Sequence, residues 1–133
     1  MRNDLRQIAT EARLRAYAPY SKFSVGAALL ARSGIVVSGC NVENVSLGLT
    51  MCAERVCVGK AVDQGEREFE ALTIVADSAT PIVPCGACRQ VLAEFSPAIK
   101  ITSWTVSGER QEFALEDLLP LPQQGILEVP RGT

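Results

Sequence analysis

From Asn3 to Tyr17 the apolar positions Leu5, Ile8, Ala9, Ala12 and Ala16 recur at helical spacing, so an amphipathic helix is expected there, capped by Asn3 or Asp4 and closed by Ala18 and Pro19. Two short apolar runs follow, "SVGAALLA" over 24–31 and "IVVSGC" over 35–40, with Arg32, Ser33 and Gly34 between them, and together they predict a β-hairpin. The helical period returns from Cys52 to Asp63, where Ala53, Val56, Cys57 and Ala61 share a face and Gly65 provides a stop. "ALTIVA", 71–76, is β-branched and apolar, which predicts a buried strand. Residues 86–95 predict a helix ended by Ser96 and Pro97, "IKITSWTV" a strand over 99–106, Gly108 a turn into "QEFAL", and "LEDLL" a short last helix. A hairpin followed by alternating strands and helices predicts a three-layer α/β/α sandwich around a mixed five-stranded sheet.

Composition narrows the partners more than the fold. A chain of 133 residues favours one domain, 1–133, around one core. Apolar residues at 47% and charged residues at 21% are those of a globular protein and exclude disorder. The net charge is −2 and no lysine or arginine cluster occurs, so a polynucleotide is not the expected partner and a small molecule is. "MRNDLRQIATEARLRAY" is too charged for a signal peptide, and no apolar run reaches the ~18 residues of a membrane span; the cytoplasm is the expected location. Five cysteines there suggest metal or catalytic chemistry, since an odd number suits paired bridges poorly.

The chemistry concentrates in "MCAER", 51–55, and "PCGACRQ", 84–90. Cys85 and Cys88, separated by two residues at a helix start, have the spacing to grip one ion, and zinc is the usual occupant of small thiolate sites. Cys52, also at a helix start, is the candidate for a third sulfur, and helix N-termini favour thiolate over thiol. Three protein ligands leave tetrahedral zinc one open position, as catalytic sites do. Three thiolates also donate enough negative charge to weaken the acidifying effect on water, and Arg55 and Arg89 are the candidates to compensate it. The chain contains no histidine, so Glu54 is the obvious group to take a proton from the activated water.

Cys52-Ala53-Glu54 followed by Pro84-Cys85-Gly86-Ala87-Cys88 matches the pattern of zinc nucleobase deaminases in its all-cysteine form. With "YAPYSKFSVGAAL", "GCNVENVS", "LTMCAER", "PCGACRQ" and "LLP" in order between Tyr17 and Pro120, the sequence resembles the small cytidine deaminases. The resemblance implies one zinc ion per subunit on Cys52, Cys85 and Cys88, with Glu54 as proton shuttle, and hydrolysis of free cytidine or deoxycytidine to the uridine and ammonia. It also implies that Asn41 and Glu43 bind the ribose 3′-hydroxyl, that Phe23 packs on the pyrimidine and that the Ala53 backbone bonds the base edge. A homotetramer acting in pyrimidine salvage is the expected state.

Two positions depart from the family pattern. Leu47 stands where "SYGLT" has its tyrosine, and "LLPLPQQGILEVPRGT" lacks the aromatic that in relatives reaches a neighbouring subunit's site. Another aminated heterocycle, such as a nucleoside antibiotic, is therefore an alternative substrate. From the ligands alone, a closed zinc staple with Cys40 or Cys57 as fourth ligand is the competing non-enzymatic reading. Otherwise Cys40 and Cys57 are expected as small buried hydrophobes, Trp104 as core or interface packing, and "EREFE" as solvated surface.

Overall fold

The computed structural model describes residues 2–122. Helix α1 (Arg2–Arg13) leads into a hairpin of β1 (Val25–Ala31) and β2 (Val36–Cys40). A 3-10 turn (Leu47–Leu49) precedes α2 (Ala53–Asp63), and β3 (Phe69–Ala76), α3 (Gly86–Phe95), β4 (Lys100–Thr105), β5 (Arg110–Ala114) and α4 (Leu115–Leu118) complete the order. The sheet runs β2-β1-β3-β4-β5, parallel only between β3 and β4, the pair joined through α3. This is the mixed five-stranded sheet expected from the alternation of runs.

Strand alternation divides the core between two faces. Ala27, Leu29, Leu72 and Ile74 pack with Ala53, Cys57 and Leu92 from α2 and α3. Ala28 and Val75 point the other way, onto Leu5 and Ala9 of α1. Trp104 lies on this second face with the Arg6 guanidinium 3.9 Å above its ring, a packing role.

Two glycines let helices come close. A Cβ on Gly26 would lie 2.0 Å from the Ala9 carbonyl oxygen of α1. One on Gly39 would lie 2.7 Å from the Ala53 carbonyl oxygen and 2.9 Å from Cys57 Sγ. Both glycines allow contact between backbones that any side chain would force apart. The Gly39 contact matters for function, because it seats the first turn of α2 against the sheet.

Boundaries differ from expectation where tertiary hydrogen bonds take over. Helix α1 ends at Arg13 instead of Tyr17: the amides of Leu14, Arg15 and Ala16 bond three residues back, and Tyr17 N–H turns to the Asn41 carbonyl, 3.0 Å away. Strand β3 begins two residues early, at Phe69 inside the charged run "EREFE". Phe69 is buried against Phe95 with ring centroids 5.8 Å apart, so that run is not wholly a solvated surface. "QEFAL" became strand β5 and the start of α4. The C-terminal segment without an aromatic extends beyond the described residues.

Candidate active site

Strand β1 is antiparallel to both β2 and β3, so β2 and β3 run the same way and their carboxyl ends meet at one edge of the sheet. Helices α2 and α3 follow those two strands, and the site forms where their N-termini converge. Cys52 caps α2 and Cys85 caps α3, both with extended backbone, and neither side chain is spent on a capping hydrogen bond. Cys88 lies in the first turn of α3 and is fully buried. The Cys52 and Cys85 sulfurs are 4.0 Å apart, those of Cys85 and Cys88 3.4 Å, and all three lie within 4.8 Å of one another.

That spacing tests the fit to zinc. Tetrahedral zinc with Zn–S bonds of ~2.3 Å requires sulfurs about 3.8 Å apart. Three soft donors at these separations match it with little movement. Among the described residues no fourth cysteine, aspartate or glutamate joins the group. Cys57 is buried in the core beneath Gly39, where burial pushes its thiol up to about 12, and Cys40 is half-buried at the end of β2. The ligand set thus has an open side, and the closed staple lacks its fourth sulfur.

Electrostatics at the cluster follow from crowding of sulfurs. The interaction with Cys88, assisted by Arg55, holds the Cys52 thiol well below its ordinary range, and the same interaction, with burial, holds Cys88 well above it. The Arg55 guanidinium is fixed by a 2.7 Å hydrogen bond to the Thr50 carbonyl, beside Cys52. Arg89 is placed differently: its Nε donates to the Pro84 carbonyl (2.8 Å) and its Nη1 to that of Leu118 (3.2 Å), bracing the C-x-x-C loop against α4.

Glu54 sits one helical position past Ala53 and is only 4% exposed. Burial is the main cause that pushes its carboxyl up to about 7, and the nearby Cys52 adds to it. Ala53 is the first residue of α2, so its N–H is one of the helix's unpaired donors.

Asn41 and Glu43 are both buried, and much of their hydrogen-bonding capacity shapes the loop over 17–25. Asn41 Oδ1 accepts from Val25 N–H (2.8 Å) and its Nδ2 donates to the Phe23 carbonyl (2.8 Å). Glu43 Oε1 accepts from the amides of Tyr20 (2.9 Å) and Ser21 (3.1 Å), while Oε2 accepts from the Ser21 hydroxyl. The Ser21 hydroxyl is the largest cause holding the Glu43 carboxyl below its usual range. An Asn side chain has two N–H groups and two acceptor sites and a carboxylate about four acceptor sites, so the pair retains one donor and two acceptor sites, enough for a hydroxyl. Phe23 is partly exposed beside them. Ser21 was not foreseen as a site residue; its signal is a serine two residues before Phe23, the spacing of a side-chain-to-backbone turn.

Known proteins are similar to this chain over most of its length. The family described as "Cytidine and deoxycytidylate deaminase zinc-binding region" matches residues 2–103. A cytidine deaminase of Halalkalibacterium halodurans is 50% identical over 113 residues, 84% of this chain and 86% of its own length. One of Mycobacterium tuberculosis is 45% identical over 129 residues, covering 97% and 93%. The crystal structure of cytidine deaminase from Burkholderia pseudomallei superposes with a TM-score of 0.87 at 44% identity, covering 91% of this chain and 98% of that one. With its three-sulfur cluster and buried glutamate, this chain belongs to the cytidine and deoxycytidylate deaminase family.

Proposed function

We propose that this chain is a single catalytic domain, 1–133, that hydrolyses free cytidine and deoxycytidine to uridine and deoxyuridine with release of ammonia. The observation that carries this reading is one juxtaposition: three sulfurs within 4.8 Å of one another, with the buried Glu54 carboxyl on the same helix start. Zinc on Cys52, Cys85 and Cys88 supplies a Lewis acid that acidifies water at the open side.

The remaining steps belong to the protein. Glu54 accepts one proton of the water that adds to C4 and passes it to the adjacent ring nitrogen; it then takes the proton of the new C4 hydroxyl and gives it to the exocyclic amine, which leaves as ammonia as the C4 carbonyl forms. Arg55 withdraws charge from Cys52, and Arg89 acts through the loop that carries Cys85 and Cys88. Phe23 packs on the pyrimidine, the Ala53 backbone meets the base edge, and Asn41 and Glu43 take the sugar hydroxyl.

No helix among the described residues is long and apolar enough to cross a membrane. All five cysteines are free, which suits a reducing compartment such as the cytoplasm. Val45, Leu47 and Leu49, on the segment before Cys52, are each at least two-thirds exposed, and this apolar surface supports assembly of several subunits, a homotetramer in our reading.

The test is direct. Purified zinc-loaded protein mixed with cytidine is expected to lower the pyrimidine absorbance and release one ammonia per uridine formed, and a chelator that strips the zinc is expected to stop both. Zinc-loaded protein that leaves cytidine and deoxycytidine unchanged contradicts the reading.

A further inference from the structure

We propose that Ser21 is a positioning residue for the nucleoside, its hydroxyl tying the Glu43 carboxylate to the backbone of Phe23 so that sugar and base contacts are held as one unit. This rests on the reading of Phe23, Asn41 and Glu43 as the nucleoside-binding residues.

The geometry makes the link on both sides of Phe23. The Ser21 hydroxyl donates to Glu43 Oε2 and accepts from Phe23 N–H at 3.0 Å. On the other side the Phe23 carbonyl accepts from Asn41 Nδ2 at 2.8 Å. Both backbone polar groups of the ring-bearing residue are therefore engaged through the polar pair. Between Ser21 and Phe23 stands Lys22, with φ 61°, a left-handed conformation that a lysine rarely adopts. Such a conformation persists only where its surroundings over-determine it, and here the flanking hydrogen bonds, with Lys22 N–H on the Ala18 carbonyl at 3.0 Å, provide that constraint. Without the Ser21 hydroxyl one of these constraints is lost, Lys22 is less firmly held at positive φ, and the direction of the chain entering Phe23 is less fixed. The effect should fall on substrate binding, because Ser21 belongs to the loop over 17–25 and the metal ligands to α2 and α3.

The test compares kcat, KM and zinc content for the wild type, Ser21→Ala and Ser21→Thr with cytidine as substrate. Ser21→Ala, which removes both hydrogen bonds of the hydroxyl, is expected to raise KM about tenfold, with kcat changed by less than about threefold and zinc content unchanged. Ser21 is exposed, so threonine's extra methyl has room, and Ser21→Thr should return KM to within about threefold of the wild type. An unchanged KM in Ser21→Ala, a rise that threonine fails to relieve, or a loss of zinc in place of a rise in KM overturns the proposal. A wild-type protein that holds zinc yet leaves cytidine unchanged overturns the parent reading and this inference with it.

Discussion

Replacing Glu54 with glutamine is expected to lower cytidine turnover by about 10²–10⁴-fold, the span typical of a general acid–base group, while zinc content stays as in the wild type. Glutamine has nearly the same shape, so packing around α2 is kept; the lost property is the ability to carry a proton. In the metal-free protein the same replacement should have an opposite effect on stability. Folding raises the Glu54 carboxyl from 4.5 to about 7, mainly by burial, so the fold favours the protonated acid. The stability linked to this group is complete below about pH 4.5 and is lost as pH rises through about 7, by roughly 3 kcal/mol in the limit. Glu54→Gln lacks that loss, and above pH 7 its metal-free form should melt at a higher temperature than the metal-free wild type. Steady-state kinetics, metal analysis and thermal melts at pH 5 and pH 8 check all three expectations. A variant with undiminished turnover would remove Glu54 from the chemistry.

Cys88→Ser is expected to abolish zinc binding and turnover together. Cys88 is fully buried with its sulfur 3.4 Å from that of Cys85, and a serine hydroxyl is neither ionised at neutral pH nor soft. Residues that merely support a ligand cost 10–100-fold in metal affinity when removed, so loss of a ligand should exceed about 100-fold. Stabilisation by the metal goes with it, because zinc binds only the folded arrangement of sulfurs. By contrast, Cys40→Ser and Cys57→Ala should retain zinc, since neither residue belongs to the cluster. Zinc content measured after dialysis separates the cases. Loss of metal in either control would restore the four-sulfur staple.

The legible parts of this chain were those encoded over short distances. Cys85 and Cys88 announce themselves because one ion needs two sulfurs one helical turn apart, and the short Cys52-Ala53-Glu54 motif pointed to the place where the structure gathers a third sulfur and a buried carboxyl. The hairpin and the alternating runs were enough for the sheet, since each strand's face is written into its own period. Less legible was whatever depends on a partner distant in sequence. Helix α1 stops at Arg13 because Tyr17 is claimed by Asn41. Phe69 leaves its charged neighbours because Phe95 lies opposite. Arg89, read from its neighbour Cys88, turned out to bond the carbonyls of Pro84 and Leu118. Asn41 and Glu43 looked like free ligands for a sugar, yet most of their capacity holds the loop that presents Phe23. No local pattern reveals that Gly39 is needed beneath Ala53.

The most direct measurement of the central claim is X-ray absorption at the zinc edge of the purified protein. Three sulfurs at about 2.3 Å and one oxygen at about 2.0 Å are the predicted neighbours of the ion. Four sulfurs, or a folded protein that holds no zinc, would contradict it.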